Sequence, residues 1–334
     1  VIEQSLNLND NAIKNYKYLI TKNNHYKAMI NLYLLYIKEE KYFDALGIID
    51  KLIISNDNIN TIIKDKAFVL LKLKKYDESI NICYDYFNKT KDINFLNILG
   101  LNYFEKKLFE ESEEVFLKAL KIEKDNPFIL NSLGRLYHEK RDSKNAEKYL
   151  EKAFKLKGDS FEIINNLAGF YREEGSYNKS IELYLIALKI NPKNSTIINN
   201  LAKAYFDLGE INTAEKYCIK ALNLNKSDGN IQKILSLIYL RQQNYKDGWY
   251  YFDGRLNLSD FVERNSSINL IRQKLFQQKK LKKEIKLLVL REQGIGDEIL
   301  YGTMYRDLLE SCKYVTIECD QRLKNIFCNS FPKH

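Results

Sequence analysis

Apolar positions recur along most of the chain with a helical period, and short polar turns separate them. Apolar residues three and four positions apart continue to about Arg255, and only three prolines and thirteen glycines interrupt the sequence. This pattern predicts short amphipathic helices joined by tight turns. The chain is therefore expected to be mainly all-α.

Small and large residues also recur at a longer period of 34 residues. The large member of the series is Tyr103, Tyr137, Tyr171, Tyr205 and Tyr239. Three residues before each tyrosine lies a small residue, in the series Gly100, Gly134, Ala168, Ala202 and Ser236. Two short helices approach closely only where side chains are small, and large apolar residues fill the space beside them. The period therefore indicates stacked helix pairs.

From about Tyr26 to Arg255 these positions resemble the tetratricopeptide-repeat (TPR) family. Seven repeats can be drawn, at residues 26–59, 60–92, 93–126, 127–160, 161–194, 195–228 and 229–255. The resemblance implies a right-handed superhelical solenoid of helix pairs, with residues 1–25 as an N-terminal capping helix or a partial repeat. Below, positions within a repeat are counted from its first residue.

The first helix of each repeat is expected to line a concave groove, with positions 4, 7, 8 and 11 buried and positions 5, 6 and 9 on another face. Asparagines occupy positions 5 and 6 in the central repeats: Asn97, Asn131, Asn165, Asn166, Asn199 and Asn200. An amide offers both a donor and an acceptor to an extended backbone, so this row is a candidate peptide-binding site. The alternative is an ordinary polar surface in an asparagine-rich chain.

A resemblance to the repeat region of O-linked N-acetylglucosamine transferases supports the binding role. Those repeats hold substrate backbone with asparagines at position 6, which Asn166 and Asn200 match, whereas Asn97 and Asn131 lie one residue earlier. The same face carries three basic groove candidates, Arg135, Arg172 and Lys203. Position 13 is acidic in four central repeats, where chaperone-binding members need Lys or Arg to clamp a C-terminal peptide carboxylate. Binding of an EEVD-type peptide is therefore not expected.

After Arg255 the period ends, and residues 256–284 are expected to form a linker to a different kind of segment at residues 285–334. A buried strand is predicted at Lys286–Leu290, a helix at Ile299–Ser311 and a second strand at Tyr314–Glu318. Strand, turn, helix, strand is the beginning of a parallel α/β sheet. The segment is expected to be a short, incomplete Rossmann-like unit.

The run Arg-Glu-Gln-Gly-Ile-Gly-Asp-Glu-Ile-Leu at residues 291–300 resembles the first loop of the glycosyltransferase-B fold, as in heptosyltransferase-like proteins. The resemblance implies that Gly294 and Gly296 form a phosphate or ligand loop and that Asp297 is the catalytic base, if the domain is complete. In that fold the donor nucleotide is held largely by a second sheet domain, and the chain ends at His334. The alternative is that Asp297 only caps a helix. No cofactor is expected in this chain, and a nucleotide sugar is expected if the full-length protein is a transferase.

Charge and composition narrow the classes of partner. The net charge is +9 and the pI about 9.0, but the basic excess lies mostly in Arg264–Lys286 without interleaved aromatic rings, so nucleic acid is not expected. No apolar run is long enough to span a bilayer. Five cysteines without a CxxC pair predict reduced thiols in the cytoplasm, with Cys83 and Cys218 as core residues, and no metal site is expected.

The sequence therefore predicts a non-enzymatic scaffold that binds a partner protein or an extended peptide in the repeat groove. The alternative is the N-terminal portion of a TPR-containing glycosyltransferase whose catalytic domain is truncated in this chain. No feature of the sequence indicates an oligomeric state.

Overall fold

The computed structural model describes residues 2–23, 25–54, 60–226, 228–252, 254, 286–289, 302 and 305–331. By its internal contacts the chain divides into two compact units, Val1–Leu258 and Ser259–His334. No helix among the described residues is long and apolar enough to cross a membrane.

The first unit is a succession of helices, each packed against the next. A leading helix, α1 (Ile2–Asn23), precedes seven pairs. The first helices of the pairs are α2 (Tyr26–Lys38), α4 (Asn60–Lys72), α6 (Ile93–Glu105), α8 (Pro127–Glu139), α10 (Phe161–Glu173), α12 (Ser195–Leu208) and α14 (Gly229–Arg241). The second helices are α3 (Tyr42–Ile54), α5 (Tyr76–Thr90), α7 (Phe109–Ile122), α9 (Ser143–Leu156), α11 (Tyr177–Ile190), α13 (Ile211–Leu224) and α15 (Tyr245–Phe252). The prediction of a mainly all-α chain is confirmed.

Several first helices begin at a polar cap. The Asp92 side chain accepts a hydrogen bond from the backbone N–H of Asn94 at 2.9 Å, and the Asn126 side chain accepts one from Phe128 at 3.0 Å. Pro127 follows at the first helical position, where its missing N–H costs nothing. These caps satisfy helix N–H groups that have no intrahelical partner, so the sequence defines where these helices start.

The turn between the two helices of a pair reaches the left-handed region at position 15 in every repeat. Only two of these residues are glycine, at Gly175 (φ 77°) and Gly209 (φ 93°). The other five are Glu40, Lys74, Lys107, Arg141 and Gln243, with φ between 58° and 63°. The residue after each turn donates its N–H to the carbonyl of position 11, as Leu108 does to Tyr103 at 2.9 Å. These hydrogen bonds close each helix C-terminus and hold the left-handed residue in place.

The two helices of a pair meet at the small residues of the 34-residue period. A Cβ on Gly134 would come within 2.8 Å of the Leu150 side chain, and Ser112 Oγ donates to the Gly100 carbonyl at 2.8 Å. Cys83 and Cys218 are fully buried at the position that Leu150 occupies in its repeat, which confirms them as core residues. Burial raises the pKa of both thiols to about 12, so they stay protonated at neutral pH.

The recurring tyrosines connect neighbouring repeats. Tyr137 Oη donates to Glu113 Oε1 of the preceding repeat at 2.6 Å, and Tyr171 Oη donates to Glu151 Oε1 at 2.8 Å. The Tyr137 ring also stacks on Tyr149 of its own repeat, with centroids 5.4 Å apart. Tyr137 therefore packs within its own pair while its hydroxyl is bonded to the pair before.

The second unit contains a two-stranded parallel sheet. Strand β1 (Lys286–Val289) pairs with β2 (Tyr314–Ile317) in the register Lys286 to Tyr314. Two short helices accompany it, α16 (Tyr305–Ser311) before β2 and α17 (Lys324–Ser330) after it. The predicted linker and the glycine-rich loop with Gly294, Gly296 and Asp297 lie outside the described residues, so their assignments stay predictions.

A polar groove with an open cavity

The first helices of repeats four to six, α8, α10 and α12, border a cavity of about 240 Å³. Six of the lining residues occupy positions 5, 6 and 9 of these helices: Arg135, Asn165, Asn166, Gly169, Asn200 and Lys203. The same helices also contribute His138, Glu139, Arg172 and Glu173. Aromatic rings of Phe104, Phe170 and Tyr184 complete part of the wall. Six of the nine predicted groove residues therefore line this one cavity. They are the asparagines Asn165, Asn166 and Asn200 and the basic residues Arg135, Arg172 and Lys203.

The cavity is open because of the residue at position 9 of the fifth repeat. Arg135 and Lys203 occupy position 9 in the repeats on either side, and Gly169 lies between them. A Cβ built on Gly169 would meet nothing nearer than Tyr184 Oη at 3.9 Å. The missing side chain leaves space between two long basic side chains.

The asparagine row is bonded within the chain. Ser132 Oγ donates to Asn97 Oδ1 at 3.1 Å, and Asn166 Nδ2 donates to Asn131 Oδ1 at 3.0 Å. The third rung runs from Asn200 Nδ2 to Asn165 Oδ1 at 2.7 Å. In each rung, position 6 of one repeat donates to position 5 of the repeat before it. The predicted role of these amides is to contact a peptide, whereas the Oδ1 atoms of Asn97, Asn131 and Asn165 accept hydrogen bonds from the protein itself.

The row ends at Asn199, whose Oδ1 is buried and has no hydrogen-bond partner among the described residues. Its donor would come from position 6 of the last repeat, and that residue is Ile234. Asn131 and Asn199 are 0% and 6% exposed, so neither amide is presented openly to the groove. Asn97, Asn165, Asn166 and Asn200 are half-buried.

This difference predicts unequal costs for two equivalent substitutions. Asn131→Ala is expected to lower the free energy of unfolding by about 1–2 kcal/mol, because it removes a buried amide that accepts from Asn166. Asn199→Ala is expected to change stability by less than about 0.5 kcal/mol, because the Oδ1 it removes has no partner. Urea unfolding of both variants measures the difference, and equal losses would contradict the assigned rungs.

Three of the four acidic residues at position 13 lie beside basic groups. Arg172 Nη1 lies 2.8 Å from Asp207 Oδ2, and Lys107 Nζ lies 3.9 Å from Glu139 Oε2. Glu173 lies 3.4 Å from His138 Nε2. These side chains are partly exposed, so the pairs contribute little to stability, but they offset the acidic charge at the groove.

Arg135 and Lys203 differ from Arg172 in having no such partner. Within the described ranges neither side chain forms an ion pair or a hydrogen bond to a carboxylate. The Arg135 guanidinium lies over the Phe104 ring, 5.1 Å from its centroid. Burial lowers the pKa of Lys203, and the positive charge of Arg172 lowers it further, while Asp228 and Asp207 act in the opposite direction. The cavity therefore carries two cations that form no ion pair within the described residues, although the carboxylates of Glu139 and Glu173 also line it.

No group of His, Cys, Asp and Glu side chains suited to a metal ion occurs in the part of the chain that the structure describes.

The sequence pattern predicted the two cations of the cavity, Arg135 and Lys203, as groove residues. It missed Gly169, and the signal was available in the comparison of position 9 between repeats.

Comparisons with known proteins agree with the repeat architecture. Models of the tetratricopeptide repeat match residues 93–126, 129–160 and 195–227, and a TPR repeat model matches residues 170–209. A solved tetratricopeptide repeat protein from Parabacteroides merdae is 14% identical, with a TM-score of 0.52, over 75% of this chain and 99% of that chain. A chain of the APC/C hetero-tetramer Cut9–Hcn1 is also 14% identical, with a TM-score of 0.52, over 69% of this chain and 46% of that chain. No curated protein matches the sequence.

Proposed function

We propose that this chain, which carries tetratricopeptide repeats, is a scaffold that binds a segment of a partner protein along the groove of its first helices. One observation carries the proposal: the groove contains an open, polar cavity of about 240 Å³ with charged side chains that have no partner within the described chain. An interior that serves stability alone is close-packed and pairs its charges. This cavity fits a ligand better than it fits a core.

The groove also suits an extended polypeptide. Half-buried amides of Asn165, Asn166 and Asn200 line the cavity, and each retains a donor or an acceptor that the rungs do not use. A single net hydrogen bond contributes about 1 kcal/mol, so useful affinity requires contacts over several repeats. Stacked repeats provide such contacts along one continuous surface. The structural relative in the Cut9–Hcn1 hetero-tetramer is itself part of a protein assembly.

Photocrosslinking from a groove position tests the proposal. A photoreactive amino acid replaces Glu139, an exposed residue that lines the cavity, and the purified chain is irradiated in a lysate of its source organism. The matched control carries the same group at Glu182, which is exposed on the second helix α11. Discrete adducts are expected from the groove position and not from the control. Equal labelling at both positions, or none in the groove, would contradict the proposal.

The second candidate is the N-terminal portion of a TPR-containing glycosyltransferase. The parallel pairing of β1 with β2, with α16 before β2, is the observation that favours it, because nucleotide-sugar domains of this kind are built on parallel sheets. The loop that carries the resemblance lies at residues 291–300, outside the described residues. The catalytic role of Asp297 and the ligand loop at Gly294 and Gly296 stay predictions.

A further inference from the structure

The second helices of repeats three and four carry opposite charges at equivalent positions. Positions 18 and 22 are Glu110 and Glu114 on α7, and Lys144 and Lys148 on α9. All four residues are exposed. Each helix therefore presents two charges of one sign, one turn apart, and the sign reverses between the neighbouring repeats.

The stability of a single chain does not account for this pattern. Two like charges four residues apart destabilise a helix slightly, and both helices contain such a pair. Of the four residues, only Glu110 forms an ion pair within the described part of the chain, at 3.7 Å from Lys140 Nζ. The charges at positions 18 and 22 are therefore available to a group outside the chain.

Helices α7 and α9 lie side by side and run in the same direction. Lys140, three residues before α9, places its Nζ 2.7 Å from Glu113 Oε2 in the N-terminal half of α7. Towards the other end, Lys152 Nζ of α9 lies 2.7 Å from Asp125 Oδ1, three residues after α7. The acidic and the basic positions therefore adjoin at one surface, which the sequence alone does not show.

This surface is complementary to a second copy of itself. A two-fold axis that runs between α7 and α9, parallel to both, brings α7 of each copy against α9 of the other. Because the axis is parallel to the helices, equivalent positions meet. Glu110 then faces Lys144 of the second copy, and Glu114 faces Lys148 of the second copy. Symmetry repeats both pairs, so every charge at positions 18 and 22 has an opposite partner.

The C-terminal halves of the two helices limit the contact. Positions 26 and 29 are lysine on both helices: Lys118, Lys121, Lys152 and Lys155. The same rotation sets these lysines against one another, although Lys152 and Lys155 each have a carboxylate of their own chain at 2.7 Å and 3.7 Å. The interface is therefore confined to the N-terminal halves of α7 and α9, and a contact of that size supports a weak, salt-sensitive association.

We propose that two copies of this chain associate about such a two-fold axis, through positions 18 and 22 of α7 and α9. An acidic partner would match α9 and a basic partner would match α7, whereas a second copy matches both helices at the same spacing. The groove of the first helices takes no part in this contact. The inference is therefore independent of the proposed groove function.

Sedimentation velocity of the purified chain at low ionic strength tests the inference. The wild-type chain is expected to dimerise at about 10–100 μM and to dissociate in about 0.5 M salt. Glu114→Lys and Lys148→Glu each set like charges against one another, so each should weaken dimerisation at least about tenfold. The matched controls are Glu182→Lys and Lys216→Glu, at the exposed position 22 of α11 and α13, which should dimerise like the wild-type chain.

A mixture of the two variants distinguishes a lost pairing from a loss of folding. Each variant supplies the charge that the other has lost. An equimolar mixture of Glu114→Lys and Lys148→Glu is therefore expected to form a heterodimer within about threefold of the wild-type affinity. A tag on one variant should recover the other from the mixture.

Three results would overturn the inference. The first is a wild-type chain that stays monomeric at low ionic strength. The second is equal dimerisation of Glu114→Lys and its control Glu182→Lys, and the third is a mixture that associates no better than its two components. None of these results bears on the photocrosslinking at Glu139, since that residue lies on the first helix α8.

Discussion

Phe116→Ala is expected to lower the free energy of unfolding by about 3–5 kcal/mol, the largest loss predicted for a single substitution in this chain. The Phe116 ring is fully buried and lies directly over Gly100, where a Cβ would come within 2.7 Å of its Cδ1 atom. Removal of the ring leaves a cavity whose facing residue has no side chain to fill it. The loss of stability therefore includes both the free energy of burying an aromatic ring away from water and the cost of the empty cavity that the ring leaves.

The matched control for this substitution is the next residue along α7. Leu117 is 36% exposed, and Leu117→Ala is expected to cost less than about 1 kcal/mol. Urea unfolding measures both variants, and amide hydrogen exchange locates the effect. Because repeats contact only their neighbours, protection should decrease most in α6 and α7 and least in α14. Equal losses for Phe116→Ala and Leu117→Ala would show that the ring does not fill the space described.

Gly134→Val is expected to destabilise the chain by about 2–3 kcal/mol through overpacking. A Cβ at this position would lie 2.5 Å from Leu150 Cγ and 3.1 Å from the Leu150 backbone nitrogen. The side chain of Leu150 is buried and its backbone is part of α9, so neither atom moves aside easily. Separation of α8 from α9 is the remaining response, and it weakens the small-to-large contact on which each pair depends.

Gly169→Ala is the control for Gly134→Val, since both glycines lie within first helices but only Gly134 lies against the second helix of its pair. Open space surrounds Gly169, so alanine there is expected to stabilise the helix by up to about 1 kcal/mol through its higher helix propensity. Thermal unfolding followed by circular dichroism measures both. The prediction is contradicted if Gly134→Val unfolds at the wild-type temperature or if Gly169→Ala is the less stable of the two.

The repeat and the helical class were predictable from the sequence because both follow from local packing rules. Gly134 and Leu150 lie at fixed positions of the period, and only a small residue there lets the two helices of a pair meet. The tyrosine series has the same origin, since Tyr137 both stacks on Tyr149 and donates to Glu113. Each repeat places the same kinds of residue at these packing positions, so the 34-residue period reveals them in the sequence.

The turns were only partly predictable. Gly175 and Gly209 indicate a left-handed residue at position 15, but Lys107 and Arg141 adopt the same conformation without being glycine. The hydrogen bond from Leu108 N–H to the Tyr103 carbonyl fixes that turn. Closure of the helix C-terminus outweighs the modest preference of a lysine for other conformations, and residue type alone does not show this.

The asparagine row shows where sequence reasoning about the site reached its limit. A helical wheel places position 5 on the groove face, but it contains no information on the neighbouring helix. The stacking of repeats brings Asn166 onto Asn131 and Asn200 onto Asn165, so these amides bond one another. Asn199 has the same residue type and position but lacks a bonded neighbour, since Ile234 occupies the donor position.

The sequence by itself determined that this chain forms tetratricopeptide helix pairs, because the residues that define them lie close together and repeat. Only the tertiary structure decided which polar groups are satisfied within the protein and which remain available. Arg135, Gly169 and Lys203 are 34 residues apart along the chain, and they border one cavity because three first helices stack side by side. The charge of a groove residue is a property of its sequence position, whereas its partner depends on the angle and spacing at which repeats stack.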